Sequence, residues 1–82
     1  MLVHEMTLAE GILKIALDYA EKNQSPRVTE IGLLIGEFSY VEMEALNFSF
    51  DIMSRGTIAE GSKILVKKVP GRDLRVEYLE LD

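Results

Sequence analysis

The sequence predicts an α+β fold in which two helices pack on one face of a three-stranded mixed sheet, in the order α-β-α-β-β. Two segments carry apolar residues at helical spacing. Three shorter segments are rich in the β-branched and other apolar residues that favour strands. Residues typical of turns separate these segments. The 82 residues suffice for one small domain, and we expect residues 1–82 to form it.

The first helix is expected from residue 7 to about residue 23. Apolar residues form a stripe along this segment, and charges of alternating sign occupy the opposite face. Thr7 and Glu10 have the Thr-x-x-Glu spacing of a capping box, which predicts that the helix begins there. Gly11 is unfavourable inside a helix, so we expect another backbone to approach it closely. Pro26 disfavours helical geometry at the residue before it and ends the helix.

The first strand is expected over residues 27–38. Ile31, Leu33 and Ile35 alternate with residues that point to the opposite face, as in a strand with one apolar side. A glycine is awkward inside a strand, and Gly36 is expected to mark a bulge or the end of this one.

The second helix is expected from about residue 41 to residue 54, after a second capping-box spacing at Ser39 and Glu42. It is apolar over more than half its girth, which is typical of a helix that packs on both a sheet and another helix. Phe48 and Phe50 are about 200° apart on a helix. One of them should therefore lie on the sheet, and the other against the first helix or a partner. Gly56 follows where a left-handed residue commonly ends a helix.

The second and third strands are expected at residues 63–69 and 74–81. The turn Pro70-Gly71-Arg72-Asp73 is so short that it predicts an antiparallel hairpin of these two strands. The first strand, second helix and second strand should form a right-handed crossover with parallel strands. The apolar residues of the third strand change face near Tyr78, which predicts a β-bulge there.

Composition excludes several classes of function. A net charge of −5 argues against a nucleic-acid partner. No apolar run approaches a membrane span of about 18 residues, and the amino end lacks the form of a signal peptide, so we expect no membrane association. The chain has no cysteine, which excludes a disulfide, a thiolate zinc site and a thiol nucleophile within these residues. This composition fits a cytoplasmic protein.

We do not expect an enzyme. The serines have His4 as their sole potential general base, and its orientation near a terminus would be hard to fix. Glu37, Glu42 and Glu44 cluster after the first strand, but acids of this kind are typical of helix starts. The sequence also lacks the glycine-rich loops that bind nucleotide phosphates.

His4, the single histidine of the chain, is followed directly by Glu5 and lies near the terminal amine. An imidazole, a carboxylate, an amine and backbone amides that can lose their protons are all nitrogen or oxygen donors. Together they suit Ni(II) or Cu(II) in a tetragonal site. A lone histidine near a terminus is, however, commonly a solvated side chain without a ligand. The residues alone leave both interpretations open.

Several stretches along nearly the whole chain match a known family in the same order. They are His4-Glu5-Met6-Thr7-Leu8-Ala9-Glu10, Arg27-Val28-Thr29-Glu30-Ile31, Ile35-Gly36-Glu37-Phe38-Ser39, Glu44-Ala45-Leu46 with Phe48 and Phe50, Gly56-Thr57-Ile58-Ala59-Glu60-Gly61, and Val69-Pro70-Gly71-Arg72. In these stretches the chain resembles the HypA/HybF family, the nickel metallochaperones of NiFe-hydrogenase maturation.

The resemblance implies a nickel-binding domain whose metal ligands are Met1, His4 and Glu5. His4 would supply its imidazole and amide nitrogens, and Glu5 would be a neighbouring ligand or a group that supports the ligands. The resemblance also implies delivery of Ni(II) to the hydrogenase large subunit, together with a nickel-handling maturation GTPase, and in some members to urease. It implies no catalytic turnover and leaves a homodimer open.

The chain departs from the family pattern in two places. Family members carry a zinc module with two Cys-x-x-Cys pairs between the second and last strands, whereas Arg72 here runs directly into Asp73, so we expect no zinc in this form. Family chains begin Met-His-Glu, whereas Leu2 and Val3 precede His4 here, and a translation start at position 3 would restore that order. The alternative function is a metal-free docking module that keeps the partner-binding surface.

Overall fold

The computed structural model describes the backbone of residues 2–82 and the side chains of residues 4–82. Two helices and three strands alternate in the predicted order α-β-α-β-β, which confirms the α+β fold class. Their bounds are α1 Leu2–Lys22, β1 Val28–Gly36, α2 Met43–Ser54, β2 Lys63–Val69 and β3 Leu74–Leu81.

Helix α1 begins well before the predicted capping box. Thr7 lies inside the helix, so the prediction of a start at that residue was wrong. The reason is that the buried face of α1 begins with a charged residue, before the first apolar residue of that face. Glu5 is buried in line with Ala9, Ile12 and Ala16, and it continues the same face of the helix towards the amino end. Because Glu5 is charged, the pattern of apolar residues in the sequence does not show that the buried face extends to it.

The sheet has the strand order β2-β1-β3. Strand β1 pairs in parallel with β2, as predicted, and in antiparallel fashion with β3. The predicted hairpin of β2 and β3 was therefore wrong, because β1 lies between them. Strand β1 is buried over most of its length, whereas β2 and β3 alternate between half-buried and exposed residues. Burying the most apolar strand in the centre outweighs the short-range pairing that the turn suggested.

The predicted bulge of β3 is present beside Tyr78. Gly32 pairs with Tyr78 and Leu33 pairs with Val76, so Glu77 has no partner position in β1. The ring of Tyr78 lies where a β-carbon on Gly32 would be. Its hydroxyl donates a hydrogen bond of 2.6 Å to Oε2 of Glu30. That bond, followed by burial and nearby carboxylates, raises the pKa of Tyr78 to about 12.

One hydrophobic core lies between the two helices and the inner face of the sheet. In α2, Phe50 is 3% exposed and Phe48 is 59% exposed, which confirms that the two rings point in different directions. Gly56 has a φ of +80°, as expected of a residue that ends a helix. Within residues 2–82, neither helix is long and apolar enough to cross a membrane.

Helix α2 begins at Met43, and Glu42 is its N-cap residue without a side-chain capping bond of its own. The Ser39–Glu42 capping box was therefore wrong. The Ser39 hydroxyl instead donates to the carbonyl of Gly36 at 2.7 Å, which stabilises the turn that follows β1. The carboxylate that serves the start of α2 comes from α1, as described next.

Candidate functional site

His4 is exposed in the first turn of α1 and lines an open groove of about 480 Å³. Three segments form this groove: α1, the loop of residues 37–42 between β1 and α2, and the turn of residues 70–73 with the start of β3. Its walls are mostly apolar and aromatic, with one guanidinium. The lining residues are His4, Leu8, Phe38, Ser39, Tyr40, Val41, Arg72 and Leu74.

The loop of residues 37–42 is held by the turn of residues 70–73. The amide of Glu37 donates to the carbonyl of Val69, and the amide of Phe38 donates to the carbonyl of Gly71, each at 2.9 Å. A β-carbon on Gly36 would overlap the carbonyl of Gly71, so the end of β1 and this turn touch through bare backbone. A glycine at position 36 is what lets the turn cross the end of β1 and form one wall of the groove.

The carboxylate of Glu5 connects α1 to the start of α2. Glu5 is 1% exposed, and its Oε2 accepts a hydrogen bond of 2.9 Å from the backbone amide of Glu42. That bond holds the pKa of the Glu5 carboxyl below its ordinary value, against the opposite effect of burial. A negative charge at the amino end of a helix is also favourable to the helix dipole. Glu5 thus orients the helix turn that carries His4.

The described residues do not form a complete metal site by themselves. Among residues 4–82, no group of three or more His, Cys, Asp or Glu side chains is arranged to hold a metal ion. Met1, the third predicted ligand, lies outside the described residues. His4 and Glu5 are neighbours in the chain, but their side chains point in different directions: His4 is exposed and Glu5 is buried. A metal site at His4 would therefore need backbone nitrogens or groups outside this set.

Backbone nitrogens are available beside His4. The first N–H groups of an α-helix have no acceptor within the helix, and α1 begins at Leu2. An amide nitrogen here that released its proton to solvent on binding a metal would not break a helical hydrogen bond. Successive residues of a helix are rotated by about 100°, so a planar set of consecutive nitrogens requires the first turn to unwind locally.

Sequence reasoning missed the aromatic wall of the groove. Tyr40 is 81% exposed with a φ of +56°, and Phe38 is 51% exposed. A non-glycine residue with positive φ is uncommon and is held by its surroundings. Two aromatic residues in a short connection between a strand and a helix were the available signal, since a loop without a core role seldom needs them.

These features define a class of protein: a small α+β domain with one exposed histidine at its amino end, beside an open aromatic groove. The family model described as "Hydrogenase/urease nickel incorporation, metallochaperone, hypA" matches residues 3–77. The chain belongs to the HypA family.

Individual relatives agree with this assignment. The chain is 43% identical to the hydrogenase maturation factor HypA of Paracoccus denitrificans over 83 aligned positions, which cover 98% of the chain and 74% of the relative. It is 42% identical to HypA of Albidiferax ferrireducens, with 84% of the chain and 61% of the relative covered. The chain thus spans about six tenths to three quarters of the length of such relatives.

Solved structures share the fold. The solution structure of the Ni metallochaperone HypA from Helicobacter pylori superimposes with a TM-score of 0.68, covering 94% of this chain and 92% of that one. A second solution structure, of a HypA protein, gives a TM-score of 0.69. The identities are 10% and 12%, so these likenesses support the fold and not the details of the site.

Proposed function

We propose that this chain is a nickel-binding metallochaperone domain that delivers Ni(II) for the maturation of NiFe hydrogenase, and in some settings of urease. Family membership supports the class of function. The observation that carries the proposal is the exposure of His4 at the edge of the groove. A cargo ion must be bound and then released, and an imidazole open to solvent at a helix start leaves a side from which a receiver can approach.

In this proposal His4 supplies its imidazole and the adjacent amide nitrogens, and Met1 supplies the terminal amine. Nitrogen donors of this kind suit Ni(II). Of the two roles implied for Glu5, its burial and its bond to the amide of Glu42 favour that of a supporting group. A direct Glu5–nickel bond would require the carboxylate to leave the start of α2.

The groove beside His4 is the proposed contact for the receiving machinery, a nickel-handling maturation GTPase and the hydrogenase large subunit. Phe38 and Tyr40 offer exposed aromatic surface, which is enriched at protein interfaces. Arg72 adds a positive charge to the same groove. A guanidinium suits a carboxylate of a partner better than it suits a second cation.

Calorimetric titration with Ni(II) tests the metal site. We expect stoichiometric binding that is lost in His4→Ala and kept in Glu10→Gln, a matched change at an exposed residue of the same helix. Glu5→Gln keeps a side-chain oxygen that can accept from Glu42, so it should retain most of the affinity. A loss as large as that of His4→Ala would instead make the Glu5 carboxylate a direct ligand.

The position of the terminal amine is tested by removing Leu2 and Val3. A histidine at the second position closes compact chelate rings through its imidazole, its own amide and the amine, whereas two additional peptide units separate those donors here. We expect the shortened version to bind Ni(II) more tightly, and both versions to bind more weakly at acid pH, where protons compete with the metal for nitrogen. Equal affinities would show that the amine is not a ligand.

The proposal also treats residues 1–82 as one cytoplasmic domain that requires no zinc. The absence of cysteine supports this part, because these residues provide no thiolate ligands. The alternative function is a metal-free docking module, which the exposed aromatic wall of Phe38 and Tyr40 would serve. Absence of nickel binding up to millimolar concentrations would favour that alternative.

A further inference from the structure

A second apolar groove lies between the two helices. Met6 of α1 and Phe48, Ser49, Ile52 and Met53 of α2 line it, with a volume of about 200 Å³. Met6 is 42%, Phe48 59% and Ile52 46% exposed. Met6, Phe48 and Ile52 are not part of the hydrophobic core, whereas Met53 packs against it. The groove shares no residue with the one beside His4.

A buried hydroxyl at this groove is unpaired. Ser49 is 3% exposed, and its Oγ has no hydrogen-bond partner in the part of the chain that the structure describes. Leaving a buried polar group unsatisfied costs about 1–3 kcal/mol. An incoming group that offers a hydrogen bond would remove that cost, and the flexible side chains of Met6 and Met53 at its edge can move aside for it.

Charge at the rim identifies the kind of occupant. Glu10 lies one helical turn after Met6, and Glu44 lies one turn before Phe48, so each of these exposed glutamates neighbours a residue that lines the groove. The salt bridges among the described residues join Lys14 to Asp18 and Arg55 to Asp51, and neither of them includes Glu10 or Glu44. The free charge beside the apolar floor is therefore negative.

We propose that this groove is a docking site for a basic amphipathic helix of a partner protein. The helix would place its apolar face over Phe48 and Ile52, a hydrogen-bonding side chain at Ser49, and lysine or arginine residues near Glu10 and Glu44. A second copy of this chain does not fit the same surface, since a symmetric contact would bring these carboxylates together. The docking is independent of nickel and leaves the groove beside His4 free.

Methyl NMR of methionine-labelled protein tests this docking. The probe is a synthetic amphipathic helix of about 18 residues with leucines and one glutamine on one face and lysines on the other. Met6 and Met53 report on the groove, whereas Met43 lines a different cavity and is the internal control. We expect saturable shifts of Met6 and Met53 with Met43 unchanged, and no shifts with a peptide that carries glutamates in place of lysines.

Two variants separate docking from folding. Phe48→Ala should keep the melting temperature and weaken binding of the lysine peptide about tenfold or more. Ser49→Ala should not lower the melting temperature and should weaken binding about two- to tenfold. Leu65→Ala, at a residue of similar exposure on the sheet, is the matched control and should bind normally.

Three results would overturn the proposal. Equal shifts with the lysine and glutamate peptides would show an apolar surface without charge preference. Shifts of Met6 and Met53 that follow protein concentration alone would make a second copy of the chain the occupant. Absence of any shift at these methyl groups at millimolar peptide would show that the groove does not bind such a helix.

Discussion

The same substitution, glycine to alanine, should have opposite effects at two positions of this chain. At Gly36 the new β-carbon would overlap the carbonyl carbon and oxygen of Gly71 and approach the amide nitrogen of Arg72. These are backbone atoms that hydrogen bonds fix in place, so the turn must shift as a unit. At Gly11, within α1 and exposed, a β-carbon meets nothing within 4 Å.

The magnitudes follow from these surroundings. Overpacking of a well-packed site costs about 1–3 kcal/mol, which for a domain of this size lowers the melting temperature by roughly 5–20 °C. Replacing glycine by alanine inside an open helix stabilises by about 0.5–1 kcal/mol, a rise of roughly 2–8 °C. Gly36→Ala should therefore melt below the wild type and Gly11→Ala above it.

Thermal unfolding followed by circular dichroism measures both variants against the wild type. In NMR spectra, Gly36→Ala should also shift the amide signals of residues 37–42, because that loop is hydrogen-bonded to the displaced turn. Gly11→Ala should leave these signals unchanged. A Gly36→Ala variant as stable as the wild type would refute the close backbone contact. A Gly11→Ala variant that is destabilised would show that the position has a neighbour after all.

Three further outcomes are expected. Phe50→Ala should cost about 3–5 kcal/mol in denaturant unfolding while Phe48→Ala costs little, and equal effects would refute their different burial. A cooperative melt should be unchanged by strong chelators, since the chain has no cysteine to hold a structural metal; a molten chain after chelation would contradict this. The pKa of Tyr78 is raised to about 12 in the folded state. Its contribution to the stability of the fold is therefore complete below about pH 10 and is lost as pH rises towards 12. The free energy of unfolding, measured from pH 9 to 12, should therefore fall more steeply for the wild type than for Tyr78→Phe. Parallel curves would show that the hydrogen bond to Glu30 does not stabilise the fold.

The elements of the fold and the parallel pairing of β1 with β2 could be predicted from the sequence, but the position of β3 in the sheet could not. Strands β2 and β3 begin and end where their periodicity indicated, and the crossover of β1, α2 and β2 is parallel. The hairpin prediction failed because a short turn limits the distance between strand ends without deciding which edge each strand joins. That choice depends on burying β1 in the centre, which is a property of the whole sheet.

Gly11 and Gly36 show the same limit at single residues. Both glycines are unfavourable in regular structure, and the sequence suggested a close backbone approach at Gly11. The structure has no neighbour there and places the backbone of the turn against Gly36 instead. A glycine in a sequence indicates that another backbone could approach closely at that position. Whether one does depends on which segments the fold brings together there.

The candidate site shows why neighbouring residues need not share a role. The chemistry of His4 and Glu5 left a metal site open, and the family resemblance implied that His4 is a ligand and that Glu5 is a neighbouring ligand or a supporting group. Within α1 they differ in direction by about 100°, so the imidazole is exposed while the carboxylate is buried and accepts the amide of Glu42. The sequence could indicate a donor pair, but the helix that begins at Leu2 assigns one member to the surface and the other to the junction with α2. Substitutions at Glu5 therefore act on the orientation of α1 and on the start of α2, and a change in nickel affinity at that position must be measured against the stability of the fold before it is assigned to the metal.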